Sequence, residues 1–373
     1  MSQWKKTKLG EVIFIKKGDY ITKKTAKPGK YPVILGGQEP AYYINKYNHT
    51  GKAIVVSRSG ASAGFVSKWD QPIFITDGFL IEPSNKITFD FLYYSMKYRQ
   101  AFLHHIQRGA AIPHVTPSLI SDIEINLPDL DDQYKITDTL YSYDSLIENY
   151  QQQIKLLEEA AQRLYKEWFV DLHFPGYENT KIVDGVPEGW EKEGIGELGE
   201  YLNGFAFKPS DWQTKGLPII KIKELQNGVT KETPCNNGER VPKKYKIKAG
   251  DLIFSWSATL KVVIWTGEDG WLNQHLFKVT PKTDIPREFL LQSIASSLSK
   301  FQNLTTGSTM KHIQRNKLDQ VFVLVPTKDI LRKYMGVAET IRSSILNLSS
   351  QLRLLTEARD RLLPKLMSGE IEV

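Results

Sequence analysis

The chain has 373 residues, of which 41% are hydrophobic and 24% are charged, and its formal net charge is +7. This supplies enough apolar material for more than one core, and the length predicts two or three domains. Cys235 is the only cysteine, which excludes an intramolecular disulfide, and no apolar run is long enough to span a membrane. We therefore expect a cytoplasmic protein without membrane association.

Residues 1–129 predict a basic lobe that mixes strands and helices. Short apolar runs at 53–57, 72–76 and 124–128 are typical of strands, and residues 89–106 have the spacing of an amphipathic helix. Basic residues exceed acidic residues by seven in this lobe. The excess suggests a polyanion partner, although lysines that only keep a surface soluble would give the same balance.

Residues 130–172 predict a long helix, which a linker at 173–187 follows. Acidic residues gather at 127–133, where they suit a helix N-terminus. Apolar residues then alternate at spacings of four and three, which predicts a coiled-coil seam. The predicted seam positions are Ile136, Leu140, Tyr143, Ile147, Ile154, Leu157 and Leu164.

Residues 188–328 predict a second lobe, with an excess of five positive charges, and residues 329–368 predict a second long helix. The lobe again contains strand-like runs and an amphipathic segment, at 286–304. Arg359 departs from the apolar seam, and Pro364 is expected to break or kink the last turn. The apolar seam positions of this helix are Ile341, Ile345, Leu348, Leu352, Leu355 and Leu362.

The two halves of the chain are copies of one unit. Residues 109–169 align with residues 307–367 at a constant offset of 198, and fifteen of the 61 positions are identical. Residues 4–12 match residues 190–198 at an offset of 186. The duplication predicts an α+β fold with two tandem lobes and two long helices that pair as an antiparallel coiled coil, in a pseudo-twofold arrangement.

The sequence carries no recognised catalytic motif. It has no Walker loop and no HExxH, and a single cysteine cannot build a zinc-spaced cluster. The acids at 128–135 have the wrong spacing for a nuclease, and a helix start explains them. We therefore expect no enzyme activity, no metal and no cofactor. A free-standing DNA-binding regulator and a coiled-coil scaffold that binds only proteins remain open as alternatives.

The chain resembles the specificity subunits of type I restriction-modification systems over its whole length. The resemblance rests on three sequence signatures and on the order in which they occur. It implies that each lobe is a target recognition domain that reads one half of a split double-stranded DNA sequence. The signatures are WKKTKLGEV at 4–12 with its echo at 190–198, the loop-to-strand run at 109–130 with its echo at 307–326, and the link at 166–191.

The resemblance also implies roles for the helices and for partner proteins. Each seam covers 33 residues, so the helix pair would span about 50 Å, or about 14–15 base pairs. It would separate the two half-sites and dock two methyltransferase subunits. Those partners would bind S-adenosylmethionine and methylate adenine, and two restriction subunits that use ATP can join them.

Loops that vary on a shared scaffold are the candidate DNA contacts. Arg58 has the fork of donors that suits a guanine edge, but it would equally bind a phosphate or a carboxylate. The isolated His114 and His312 would serve as well to cap turns, and Trp256 is interpreted as a core residue rather than a stacking one. The predicted DNA-binding residues are Gln38, Arg58, Ser59, Ser62, His114, Thr116, Lys221, Lys223, Ser257, Lys261, Lys311, His312, Gln314 and Arg315.

Overall fold

The computed structural model describes residues 4–37, 39–106, 114–304, 313 and 315–372, with the backbone alone at 104–106. Its contacts divide the chain into two compact units. Each unit contains one lobe and a part of each long helix. Unit 1 comprises Met1–Ile147 and Leu354–Val373, and unit 2 comprises Glu148–Arg353.

The first lobe is a mixture of short strands and short helices. The amphipathic segment predicted at 89–106 forms two helices, because the backbone leaves the helical conformation at Arg99. The helices are α1 (Phe89–Tyr98), α2 (Gln100–Ile106) and α3 (Pro117–Ser121). The strands are β1 (Lys5–Lys8), β2 (Ile13–Lys17), β3 (Pro28–Ile34), β4 (Tyr42–Ile44), β5 (Lys52–Ser57), β6 (Val66–Asp70), β7 (Phe74–Ile75), β8 (Gly78–Pro83) and β9 (Glu124–Leu127).

Strand β5 lies inside a four-stranded antiparallel sheet of order β2-β8-β5-β6. A second sheet has the order β4-β3-β7, in which β3 and β7 are parallel, and β1 pairs with β9. The side chains of β5 alternate between two cores, since Ile54 packs in the cluster of Phe91 and Val55 in the cluster of Ile75. This burial of both faces explains why the run is apolar without interruption.

The first long helix, α4, extends over Leu130–Phe169 and so ends three residues before the predicted limit. A hairpin of β10 (Ile182–Val183) and β11 (Val186–Pro187) follows. The second lobe then contains the helices α5 (Ile222–Asn227), α6 (Arg287–Ser296) and α7 (Leu298–Asn303). Its strands are β12 (Glu191–Gly194), β13 (Gly199–Asn203), β14 (Leu217–Ile220), β15 (Cys235–Asn236), β16 (Lys246–Ile247), β17 (Leu252–Ser255), β18 (Lys261–Ile264), β19 (Gly270–Leu272), β20 (Leu276–Pro281) and β21 (Phe322–Val325).

The strand order of the first lobe recurs in the second, with β16 as an additional strand of the second sheet, whose order is β15-β14-β19-β16. Its main sheet has the order β13-β20-β17-β18, its second sheet contains a parallel β14-β19 pair, and β12 pairs with β21. The registers correspond as well, because the pair Ser57↔Gly78 recurs as Ser255↔Leu276 at the offset of 198. The duplication read from the sequence is therefore a duplication of the fold.

The second long helix, α8, extends over Lys328–Ser368, and in each unit the two long helices run in opposite directions. In unit 1, Leu140 from the first part of α4 packs in one core with Leu366 from the end of α8. In unit 2, Phe169 from the end of α4 packs with Tyr334 from the start of α8, with ring centroids 4.9 Å apart. The predicted antiparallel pairing is confirmed.

The structure gives the burial of each predicted seam position. Ile136, Leu140 and Ile147 are buried on α4, Ile345 is buried on α8, and the remaining predicted seam positions are at least partly buried. The expected break at Pro364 is wrong, because α8 continues to Ser368.

No helix in the described part of the chain is both long enough and apolar enough to cross a bilayer. Both long helices have the required length, but each has exposed polar residues along its whole extent.

Candidate nucleic-acid interface

In the first lobe, Arg58, Ser59 and His114 come together where strand β5 ends. The Arg58 N–H donates to the Asp77 carbonyl at 3.1 Å, and the Arg58 carbonyl accepts the Val115 N–H at 2.9 Å. Ser59 forms an antiparallel bridge with His114. Backbone hydrogen bonds thus join three segments that are distant in the sequence into one cluster, the Arg58 cluster (Arg58, Ser59, Asp77 and His114).

Two side chains of this cluster, those of Arg58 and Ser59, approach the Asp77 carboxylate. Ser59 Oγ donates to Asp77 Oδ2, and Arg58 Nη1 lies 3.9 Å from Asp77 Oδ1. The Arg58 side chain remains 40% exposed, so its other donors are open to a ligand. Gly36 has a φ of +61°, and a Cβ there would lie 2.9 Å from the Ser59 carbonyl oxygen. Only glycine suits this close approach.

Two further candidates of the first lobe, Thr116 and Ser62, take part in local hydrogen bonds. Thr116 is the N-cap of α3, and its hydroxyl accepts the Leu119 N–H at 3.4 Å. Ser62 forms a turn in which its carbonyl accepts the Phe65 N–H at 2.9 Å. Ser62 is partly exposed, and Thr116 is exposed. Both lie beside the Arg58 cluster in the chain. The hydrogen bond of the Thr116 hydroxyl explains a threonine at its position, whereas the turn at Ser62 uses only the backbone and does not explain the serine.

In the second lobe, Lys221, Lys223 and Lys261 lie on or against helix α5. The Lys261 ammonium donates to the Leu225 carbonyl at 3.3 Å, and the Lys221 ammonium lies 4.0 Å from the centroid of the Trp212 ring. Lys223 is exposed, 3.9 Å from a Glu232 carboxylate oxygen. The structure therefore groups these three lysines, and Trp212, which is half exposed, adds an aromatic surface.

Ser257 is 2% exposed, so its side chain is not available to DNA in this conformation, and the prediction for this residue has no support. Its carbonyl accepts the Ser255 hydroxyl at 3.3 Å. The neighbouring Trp256 is only partly buried. Trp256 Nε1 donates to Asn203 Oδ1 at 3.2 Å. Of the two residues that follow strand β17, the tryptophan is therefore the accessible one and the serine is buried.

Trp256 and Arg315 line a cavity of about 610 Å³ in the second lobe. Burial raises the pKa of the Tyr201 phenol in its wall, whose hydroxyl donates to the Ile195 carbonyl at 2.9 Å. This tyrosine is therefore a neutral, structural part of the wall. The cavity is mostly aromatic and apolar, with a guanidinium and an amide, and its lining residues are Tyr201, Leu202, Asn203, Tyr245, Trp256, Phe277, Ile313 and Arg315.

Four predicted contacts, Gln38, Lys311, His312 and Gln314, lie outside the described residues. Sequence reasoning also missed Asp77, on which the Arg58 cluster depends. Its position directly before strand β8 was a usable signal, because loops that flank adjacent strands meet at one sheet edge.

In the part of the chain that the structure describes, no three His, Cys, Asp or Glu side chains are grouped to hold a metal ion. The candidate surfaces consist of exposed or partly exposed cationic side chains and aromatic rings at strand ends, on loops and on helix α5. Such surfaces contact phosphates and base edges. The described part of the chain thus holds two copies of one α+β lobe with a long helix after each, and each lobe carries a candidate DNA-binding surface.

Residues 1–159 and 187–334 match the family described as "Type I restriction modification DNA specificity domain", and the chain belongs to this family. It is 27% identical over 354 residues to the MjaIX type I restriction enzyme specificity subunit of Methanocaldococcus jannaschii, with 86% of this chain and 78% of the relative covered. It is 26% identical over 332 residues to the HindI specificity subunit of Haemophilus influenzae, with 71% and 72% covered.

The fold is similar to a crystal structure of the type I restriction-modification S subunit from M. genitalium. The TM-score is 0.61 at 17% sequence identity, over 98% of this chain and 96% of the other. The relatives named here are specificity subunits of type I restriction enzymes, and this chain shares their family of DNA specificity domains.

Proposed function

We propose that each lobe reads one half of a split double-stranded DNA target and that the paired helices fix the distance between the halves. The observation that carries this proposal is the recurrence of one strand order with different side chains on equivalent loops. Arg58 in the first lobe corresponds to Trp256 in the second, at the offset of 198. A common scaffold with different loops suits two different short sequences.

The long helices also dock two methyltransferase subunits, and two restriction subunits can join this complex. Leu130, Tyr134 and Tyr141 are exposed on α4 at spacings of four and seven, and so lie on one face of this helix. An exposed apolar stripe of this kind favours a protein partner. S-adenosylmethionine and ATP bind to the partners in this proposal, this chain holds no cofactor, and the complex acts in the cytoplasm.

The direct test is to co-express the chain with the methyltransferase subunits of its own system and to map methylated adenines across the host genome. We expect one motif with two short halves and a fixed gap. Sequence-specific DNA binding without a methyltransferase complex would instead indicate a free-standing regulator. A complex without any salt-dependent DNA binding would indicate a protein scaffold.

The spacer role predicts the effect of a longer helix pair. Seven residues inserted into each helix, after Gln152 and after Ser350, keep the heptad register and add about 10 Å. The gap in the methylated motif should lengthen by about three base pairs, while both halves remain unchanged. The methylation map of the variant complex measures this gap directly.

An insertion of seven residues at the exposed turn between Asp184 and Gly185 is the matched control. It adds the same length of chain without lengthening either helix, so the gap should stay as in the wild type. An unchanged gap in the helix variant, with both halves still methylated, would show that the helices do not set the spacing.

A further inference from the structure

Arg58 and Trp256 occupy the same place in the two lobes. Each directly follows the central strand of its main sheet, β5 or β17. Each is held by one matching backbone hydrogen bond, from the Val115 N–H to the Arg58 carbonyl at 2.9 Å and from the Ile313 N–H to the Trp256 carbonyl at 3.0 Å. The two side chains therefore start from equivalent backbone positions.

The residue that faces this position also differs between the lobes. Asp77 directly precedes β8, and His275 directly precedes the equivalent strand β20. In the first lobe the two side chains form an ion pair, with Arg58 Nη1 at 3.9 Å from Asp77 Oδ1. In the second lobe they form a ring contact, with the centroids of Trp256 and His275 5.9 Å apart. Both members of this pair of facing residues therefore differ between the two lobes.

The two pairs offer different chemistry to a ligand. A guanidinium has several donors in one plane, and its contact with Asp77 leaves donors for a second partner. The Trp256 indole has a single donor, which is already bonded to Asn203. What it presents to the cavity is apolar ring surface, continued by Phe277 at a centroid distance of 5.7 Å. The indole therefore cannot replace the several donors that a guanidinium presents in one plane.

We propose that residues 58 and 77 in the first lobe, and residues 256 and 275 in the second, are equivalent specificity-determining pairs, an inference that rests on the proposed function. Arg58 donates two hydrogen bonds to the O6 and N7 atoms of a guanine in the half-site of the first lobe. Trp256 makes an apolar contact with a thymine methyl group in the other half-site. Asp77 is a positioning residue that holds the Arg58 fork.

The test uses the complex of this chain with its methyltransferase subunits and DNA duplexes in which each base pair of both half-sites is replaced in turn. Arg58→Lys keeps the charge and removes the fork. We expect it to lose about 10- to 100-fold of discrimination at one G·C pair of one half-site. Affinity for unrelated DNA should be unchanged. Arg287→Lys is the matched control, because Arg287 is 42% exposed and bonds Gly250, at the opposite end of β17.

Asp77→Asn should weaken discrimination at the same G·C pair with an unchanged melting temperature, whereas a purely structural role would lower stability and affect all positions alike. The exchange variant Arg58→Trp with Asp77→His should remove the guanine preference and leave the other half-site intact. If this double variant fails to fold, the Arg58→Lys variant still tests the proposal.

The proposal is overturned if Arg58→Lys discriminates as the wild type does, or if it weakens binding equally at every position, as a phosphate contact would. A wild-type complex that methylates no split motif would instead remove the proposed function itself.

Discussion

Units 1 and 2 carry opposite charges at the same point of their long helices. Asp144 on α4 corresponds to Arg342 on α8 at the offset of 198. In unit 1, Asp144 accepts a hydrogen bond from Arg359 of α8 at 2.8 Å. In unit 2, Arg342 donates to Glu288 of the lobe helix α6 at 2.9 Å. One duplicated position therefore links helix to helix in one unit and helix to lobe in the other.

The two ion pairs also differ in burial. Loss of one partner should therefore lower the free energy of unfolding by different amounts in the two units. The side chains of Arg342 and Glu288 are 8% and 4% exposed, whereas those of Arg359 and Asp144 are 27% and 22% exposed. Removing one partner of a buried pair leaves the other charge without a partner and without water. In a partly exposed pair, water solvates the charge that remains. Substitutions in the two units should therefore have unequal effects.

The largest effect is expected for Glu288→Gln. It leaves the Arg342 guanidinium buried without a carboxylate and should cost about 3–5 kcal/mol of unfolding free energy. Urea denaturation measures the loss, and hydrogen exchange should confine it to peptides of unit 2.

Removing both charges of this pair is the control. Because the penalty arises from an unpaired buried charge, the double substitution Glu288→Leu with Arg342→Leu should recover most of the loss. A loss below about 1 kcal/mol in Glu288→Gln would mean that water reaches Arg342 and that the two units do not differ in this respect.

A smaller effect is expected for Asp144→Asn in unit 1. Arg359 then loses one of its two carboxylate partners but keeps Asp360, which its Nη2 contacts at 2.7 Å. The expected cost is about 1–2 kcal/mol. A double-mutant cycle with Arg359→Gln measures the coupling, and a coupling of zero would show that the pair does not hold α4 to α8.

The parts of this fold that the sequence predicts are those with strong local patterns. The seam positions, the duplicated lobes and the antiparallel helices follow from heptad spacing and internal alignment. Arg359 was correctly marked as an exception to the apolar seam, but its partner Asp144 lies 215 positions away. No local pattern connects the two residues.

Tertiary packing overrides a local rule at Pro364, and the burial of Ser257 leaves the prediction for that residue without support. Pro364 removes one helical hydrogen bond, yet the last turn persists because Leu366 and Met367, 0% and 2% exposed, are packed in the core of unit 1. Ser257 was chosen as a polar loop residue, but it is 2% exposed in the segment that follows strand β17. The Arg58 cluster was only partly predicted. Asp77 is distant from Arg58 in the sequence, and the pairing of their strands in the sheet brings the two residues together.

The smallest expected effect concerns Tyr94, which contacts Asp144 in unit 1. The residue at the equivalent position of unit 2 is Gln292. The Tyr94 hydroxyl donates to Asp144 Oδ2 at 2.7 Å. Burial, and then this hydrogen bond, raise the pKa of Tyr94 above its ordinary value. Tyr94→Phe should cost about 1 kcal/mol at neutral pH.

The pH dependence of that cost tests its cause. Above a pH of about 10 the unfolded chain releases the Tyr94 proton while the folded chain retains it, so the unfolded state gains stability. The stability difference between the wild type and Tyr94→Phe should therefore be constant below about pH 9 and shrink as the pH rises further. Urea denaturation from pH 7 to pH 11 measures it, with Tyr141→Phe, at an exposed tyrosine, as control. A difference that stays constant to pH 11 would mean that the Tyr94 hydroxyl ionises alike in the folded and the unfolded chain, so that burial and the hydrogen bond to Asp144 do not retain its proton in unit 1.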